Sequence, residues 1–236
     1  MIAISGLRRR FGRRAALDGV SFAVAKGTLC ALCGGNGAGK TTLLRVIAGY
    51  LDSDGGTVTL EAGARLGYLP EGAPLPPELT VAEYVRHRAR LVGRGHDASR
   101  IARALADVEL TARAGDAIGT LSKGLRQRAA LAGVLVAGAN VLALDEPASG
   151  LDEVQRGELR KRLRAAVTAG QTVLWSTHEL SDVEAEADQI VVLAAGRVVA
   201  DGDVAAVKAA AGTGDAPLRE AVAVLAARAG TPLEDA

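Results

Sequence analysis

The run Gly34-Gly-Asn-Gly-Ala-Gly-Lys-Thr-Thr42 has the residue types and spacing needed to hold phosphate. It fits G-x-x-x-x-G-K-[ST], the Walker A pattern. Its glycines let the backbone curl so that amide N–H groups converge on phosphate oxygens. A helix beginning near Lys40 would aim the positive end of its dipole at the same charge. In that arrangement Lys40 reaches the β- and γ-phosphates, Thr41 offers its hydroxyl to Mg²⁺, and Thr42 contacts the α-phosphate region. A glycine turn that binds nothing is the bland alternative, and the carboxylates downstream weigh against it.

Those carboxylates close the run Val141-Leu-Ala-Leu-Asp-Glu146. Four apolar residues read as a buried strand that delivers two acids at its C-terminal end. Asp145 is placed to bind Mg²⁺ through water, as a Walker B aspartate does. Glu146 is the candidate general base that polarises the attacking water. A second apolar strand leads into Trp175-Ser-Thr-His-Glu179, which puts His178 at the same sheet edge, where a neutral imidazole can face the γ-phosphate or the water. His87 and His96 fall in a helical segment and are assigned no role.

Positioning these groups requires a mostly parallel sheet with helices on both faces. Met1–Leu7, Ala15–Val24, Thr28–Cys33, Thr57–Leu60 and Arg65–Leu69 read as strands in the first third of the chain, with a helix from Lys40 to Ala48. Four of the seven prolines then crowd into Pro70–Pro77, which cannot be regular helix or central strand. Helices follow over Thr80–Val92, with a capping-box pattern in Thr80 and Glu83, and over Ser99–Val108. Residues of about 72–120 therefore read as an inserted helical subdomain. Arginines at 86, 88, 90, 100 and 103 read as its solvated face. From Leu121 the alternation resumes: helix Leu125–Ala137, strand Val141–Leu144, helix Glu153–Thr168, strand Gln171–Ser176, helix Leu180–Ala187 and strand Gln189–Leu193. A turn at Gly196 leads into strand Val198–Ala200. The expected division is one domain over 1–205, and an Ala-rich helical tail over 206–236 broken at Gly212–Asp215.

Composition excludes several classes. The chain has 236 residues, with 28 Lys and Arg against 27 Asp and Glu, a net charge of +1. That balance argues against coating of nucleic acid or an anionic membrane. A hydrophobic fraction of 49% is too high for a disordered chain. With aromatics at 3%, the core must rest on aliphatic residues. No signal peptide is visible, and the longest uncharged run, Ala129–Leu144, is shorter than the roughly 20 residues of a membrane span. A soluble, intracellular protein is expected. Cys30 and Cys33 form a C-x-x-C, but in a strand positions i and i+3 face opposite sides, so they read as small buried hydrophobes rather than a redox pair or half a zinc site.

The motifs together resemble the ABC ATPases. Leu121-Ser-Lys-Gly-Leu-Arg-Gln-Arg128 is similar to the family signature, Ser149-Gly-Leu-Asp152 to the D-loop, and His178 to the switch histidine. Phe11 stands where the family has an aromatic that stacks on adenine. Order and spacing agree over about residues 2–205. Gly67-Tyr-Leu-Pro-Glu-Gly72, Glu78-Leu-Thr-Val-Ala-Glu-Tyr84 and the lysine inside the signature resemble the ATP-binding subunits of ABC-2-type exporters. The resemblance implies a P-loop NTPase core of the α/β class, with an N-terminal antiparallel β subdomain beside the helical one. It implies ATP and Mg²⁺ as ligands, with Phe11, Gly34, Asn36, Gly37, Ala38, Gly39, Lys40, Thr41 and Thr42 on ATP. Thr41, Asp145 and Glu71 fall to the metal, and Glu146 and His178 to catalysis.

It further implies a head-to-tail dimer in which Ser122, Lys123 and Gly124 of one chain act on the γ-phosphate held by another, beside Ser149 and Asp152 of the D-loop. A second ATP-binding subunit and transmembrane permease subunits are the implied partners, with no nucleic acid. The implied location is cytoplasmic, on the inner face of the cell membrane through the permease. Three positions depart from the family pattern: Glu71 replaces the Q-loop glutamine and loses an amide donor, Lys123 replaces a glycine, and Gly35 replaces a proline or serine. A non-transport ABC ATPase acting on nucleic acid or ribosomes, and a regulatory ATP-binding module, are the competing readings. The first usually has two ATPase domains or a coiled-coil insertion; intact Glu146 and His178 oppose the second.

Overall fold

Long apolar runs dictate the centre of the molecule. The computed structural model describes residues 1–230 apart from Ala73, Arg94 and His96. Strands β1 (Ile2–Phe11), β2 (Arg14–Val24), β3 (Leu29–Cys33), β4 (Gly55–Leu60), β5 (Leu66–Leu69), β6 (Val141–Leu144), β7 (Thr172–Ser176), β8 (Gln189–Ala194) and β9 (Arg197–Gly202) form two sheets. The larger has the order β5-β6-β7-β3-β8-β9. Its first five strands are parallel, and β9 returns antiparallel to β8. Every residue of β3, β6 and β7 is buried, as expected for strands covered on both faces. The smaller sheet, β2-β1-β4, is antiparallel throughout.

Two cores flank the large sheet. Cys30 and Leu32 point into one, with Leu43 and Leu44 of α1 (Lys40–Ile47) and Ile2, Leu7 and Val20 of the small sheet. Leu29, Ala31 and Cys33 point into the other. The two-residue period of the strand separates the thiols, and both are free and buried. Burial pushes the Cys33 thiol up to about 12 and Cys30 well above its ordinary value.

The second core is built largely by helices. They are α2 (Val81–Leu91), α3 (Ala98–Asp107), α4 (Lys123–Leu135), α5 (Glu153–Thr168), α6 (Leu180–Glu186), α7 (Val204–Ala211) and α8 (Leu218–Arg228). The Thr80 hydroxyl accepts from the Glu83 N–H, and the Glu83 carboxylate accepts from the Thr80 N–H, so the expected capping box forms. The segment holding α2 and α3 leaves after β5 and returns through α4 to β6, the direct neighbour of β5. In the C-terminal segment, Val207, Ala211, Leu218, Val222 and Leu225 join the helical core. The break between α7 and α8 starts at Gly212, which caps α7 in the left-handed conformation. The last six residues of the expected tail, 231–236, lie outside the described residues.

One strand differs most in extent from its sequence reading, while β4 and β9 are longer than expected by two and three residues. β1 runs through Arg8, Arg9 and Arg10 to Phe11, four residues beyond Leu7. Arginines obscure the alternation, and register shifts with β2 interrupt it further. Asp54 supplies the compensation, pairing with the Arg9 guanidinium and accepting from the Arg10 N–H. Helix α4 starts two residues before the expected Leu125, because Ser122 caps it. Among the described residues, no helix is long and apolar enough to cross a membrane.

Candidate functional site: the phosphate-binding cleft

The loop between β3 and α1 is forced into its shape by contacts on both sides. Gly39 has φ 111° and precedes α1; a Cβ there would lie 2.5 Å from the Ala16 carbonyl oxygen. Gly34, at φ 146°, would carry a Cβ 2.2 Å from the Leu193 oxygen. Only glycine meets both the dihedral and the space, so the loop is clamped between β2 and β8. The Lys40 ammonium donates to the carbonyls of Gly34 at 2.7 Å and Gly35 at 3.2 Å, which sets it in the mouth of the loop.

One open cleft gathers most of the candidate residues. Phe11, Asn36, Gly37, Ala38, Gly39, Lys40, Thr41, Thr42, Glu71, Glu146 and His178 line it, with Gly35. They come from the ends of β1, β5, β6 and β7 and from the loop itself. Gly34 sits just behind the lining, on the Lys40 ammonium. Phe11 is half exposed, with the Arg9 guanidinium 5.1 Å from its ring centroid.

Asp145 lies under the cleft, fully buried. A buried carboxylate needs donors, and three reach it. The Ser176 hydroxyl donates to Oδ1 at 2.7 Å, the Thr41 hydroxyl to the same oxygen at 3.2 Å, and the Tyr68 hydroxyl to Oδ2 at 3.5 Å. A hydroxyl beside a carboxylate is a hard oxygen donor set, which suits Mg²⁺ when phosphate and water complete the shell. Glu71, on the cleft wall, is a second carboxylate at the same opening. Among the described residues no cluster of three or more His, Cys, Asp or Glu side chains could hold a metal by itself.

Glu146 has φ 46°, an uncommon conformation for a residue with a Cβ. Its side chain is 12% exposed, and Oε2 lies 2.9 Å from His178 Nδ1. His178 itself is largely exposed. The pair can pass a proton between a carboxylate and an imidazole at the mouth of the phosphate loop.

The signature residues lie elsewhere. Ser122, Lys123 and Gly124 are at the start of α4 and none lines the cleft. The Ser122 hydroxyl accepts from the Leu125 N–H, and Ser122 and Lys123 are exposed. Gly124 is buried against Gln155 and Leu151, and the Lys123 side chain crosses over Gly150. In the D-loop segment, Ser149 donates its N–H to the Glu146 carbonyl, and Asp152 caps α5 by accepting from the Gln155 N–H. Sequence reasoning missed four residues here. Arg14 lines the cleft and donates to the Gly37 carbonyl; Ala16 buttresses Gly39; Ser176 and Tyr68 hold Asp145. The only sequence signal was the position of Ser176, two residues before His178.

A sequence profile described as ABC transporter matches residues 17–149. The chain is 34% identical over 214 residues to the Nod factor export ATP-binding protein I of Ralstonia nicotianae, covering 86% of this chain and 67% of that protein. It is 39% identical over 250 aligned residues to a daunorubicin resistance ATP-binding protein of Streptomyces coeruleorubidus, covering 98% and 78%. A solved structure described as the ATP binding subunit of an ABC transporter superposes with a TM-score of 0.85 at 28% identity, over 95% of this chain and 99% of that one. A nucleotide-free ATP-binding cassette at 24% identity shares the fold, with a TM-score of 0.77. The phosphate loop, the paired carboxylates and the histidine at one sheet edge agree with these likenesses, and the chain belongs to the ABC transporter family as an ATP-binding, ATP-hydrolysing subunit.

Proposed function

We propose that the chain powers an export-type ABC transporter by binding and hydrolysing ATP at the cleft. The carrying observation is the gathering of Phe11, the phosphate loop, Glu71, Glu146 and His178 around one opening, while Ser122–Gly124 stand outside it. The relatives named for Nod factor export and daunorubicin resistance support the exporter reading.

In this reading Phe11 stacks on adenine, and Gly34, Asn36, Gly37, Ala38 and Gly39 present backbone groups to the phosphates. Lys40 exchanges its two carbonyl contacts for β- and γ-phosphate oxygens, and Thr42 contacts the α-phosphate region. Thr41, Asp145 and Glu71 would hold Mg²⁺, which would supply neutralisation of the charge that develops on the phosphates. Glu146 orients and deprotonates the attacking water. His178 fixes the Glu146 carboxylate through Nδ1. The half-buried setting of Glu146 strengthens these contacts relative to open water.

With Ser122–Gly124 outside the cleft, one chain does not bring its signature to its own phosphate loop. A second ATP-binding subunit supplies Ser122, Lys123 and Gly124, with Ser149 and Asp152 beside them, and ATP favours the closed pair by its contacts to both. Permease subunits carry the cargo and hold the complex at the inner face of the membrane; the helical subdomain of about 72–120 is the part that meets them. The remainder of 1–205 is the ATPase core, with 206–236 as its C-terminal segment.

Glu146→Gln tests this reading. The amide keeps the shape but cannot take a proton, so turnover falls at least 100-fold while ATP binding stays within about threefold and a dimer accumulates on size exclusion. Turnover equal to that of the unmodified protein would sink the general-base assignment.

A further inference from the structure

The Ser176 side chain ties the two cleft carboxylates together. It sits at the last position of β7, next to the end of β6, and is fully buried. A serine hydroxyl has one proton to give and lone pairs to receive. Here the proton goes to Asp145 Oδ1 at 2.7 Å, and the Ser176 Oγ in turn accepts from the Glu146 N–H at 2.9 Å. One hydroxyl thus bonds to two successive residues with different tasks. The second bond matters because Glu146 is held at φ 46°, a conformation a non-glycine residue keeps only when its surroundings enforce it.

The other two donors to Asp145 are less suited to this task. Tyr68 reaches it at 3.5 Å, and Thr41 belongs to the phosphate loop, where its hydroxyl is assigned to the metal. Ser176 is a fully buried residue of β7, inside the parallel sheet and outside the phosphate loop.

We propose that Ser176 is a positioning residue for hydrolysis: its hydroxyl fixes the Asp145 carboxylate that would hold the metal, and fixes the left-handed backbone that carries Glu146. It touches neither substrate nor metal and acts through the two acids. The proposal rests on the assignment of metal binding to Asp145 and base catalysis to Glu146.

Ser176→Ala and the near-isosteric Ser176→Cys both remove the hydroxyl. Steady-state ATPase activity, thermal melting and the affinity for a fluorescent ATP analogue with and without Mg²⁺ are measured for each, beside Glu146→Gln. The expected result is a drop in kcat of tenfold or more, with Mg²⁺-free affinity within twofold of the unmodified protein. The gain in affinity on adding Mg²⁺ falls at least threefold. Ser176→Thr, which keeps the hydroxyl, retains at least a third of the activity. The proposal is overturned if either hydroxyl-free variant melts normally and turns over within threefold of the unmodified protein. It is also overturned if affinity falls equally with and without Mg²⁺, or if a normally melting threonine variant is as inactive as the alanine one. Should Glu146→Gln turn over normally, the base assignment fails instead, and the Mg²⁺ dependence of binding still judges Ser176 through Asp145.

Discussion

The cleft and the signature end of α4 share a family but not a construction. In the cleft the chemistry is satisfied from within: Asp145 has three hydroxyl donors, Glu146 has His178, and Lys40 has two carbonyls. At the signature, Ser122 and Lys123 face outward, and Gly124 is locked beneath them against α5. One region is a pocket built before its ligand arrives. The other is a surface whose polar groups await something brought to it. Under the proposed function, a chain that separates the two binds nucleotide alone and depends on a neighbour to use it.

The largest effect that would sharpen this contrast comes from Lys40→Ala. Loss of the ammonium should raise the Kd for a fluorescent ATP analogue at least 100-fold; retained micromolar affinity would break the reading of the loop. Next comes Ser122→Asp, which keeps a good helix cap but puts a negative charge where a γ-phosphate is to be met. Nucleotide binding by the single chain should stay within twofold and the melting temperature within about 2 °C, while turnover falls at least tenfold. A parallel loss of binding would mean that the signature serves its own cleft, and the contrast would collapse.

The smallest effect concerns β3, the strand that leads into the phosphate loop. Cys30 and Cys33, on β3, should not react with iodoacetamide at pH 8 in the native protein and should both react after unfolding in guanidinium. A thiol whose folded pKa is raised leaves stability intact below the unfolded value. As pH climbs from that ordinary 9.0 toward about 12, the unfolded chain ionises first, and Cys33 costs about 1.4 kcal/mol per pH unit. Urea denaturation at pH 8 and 10 should show this decline, and Cys33→Ala should reduce it.

The central sheet was legible because β3 and β6 are unbroken apolar runs and β7 has an apolar centre, each followed by chemistry: the glycine loop, Asp145 and His178. The phosphate loop was legible because its glycines answer to local dihedrals. The extension of β1 was not, because Arg8–Arg10 break the apolar alternation and are held by pairing with β2 and by Asp54, far along the chain. The same reason hid Ser176 and Tyr68. Each acts across a strand boundary, and the order β5-β6-β7-β3 cannot be read from residues in sequence. What is local in the site was visible; what depends on lateral neighbours was not.

The placement of β3 has a consequence for how the chain comes to be folded. Both of its partners, β7 and β8, lie late in the sequence, and the Leu29 N–H is held by Asp188, 159 positions on. Contacts so distant make assembly slow, since the chain entropy is lost before the reward arrives. During synthesis at roughly 5–20 residues per second, a bare apolar strand therefore waits on the order of ten seconds for its flanks. A chaperone that shields residues 29–33 over that interval would raise the yield of active protein without touching the finished molecule.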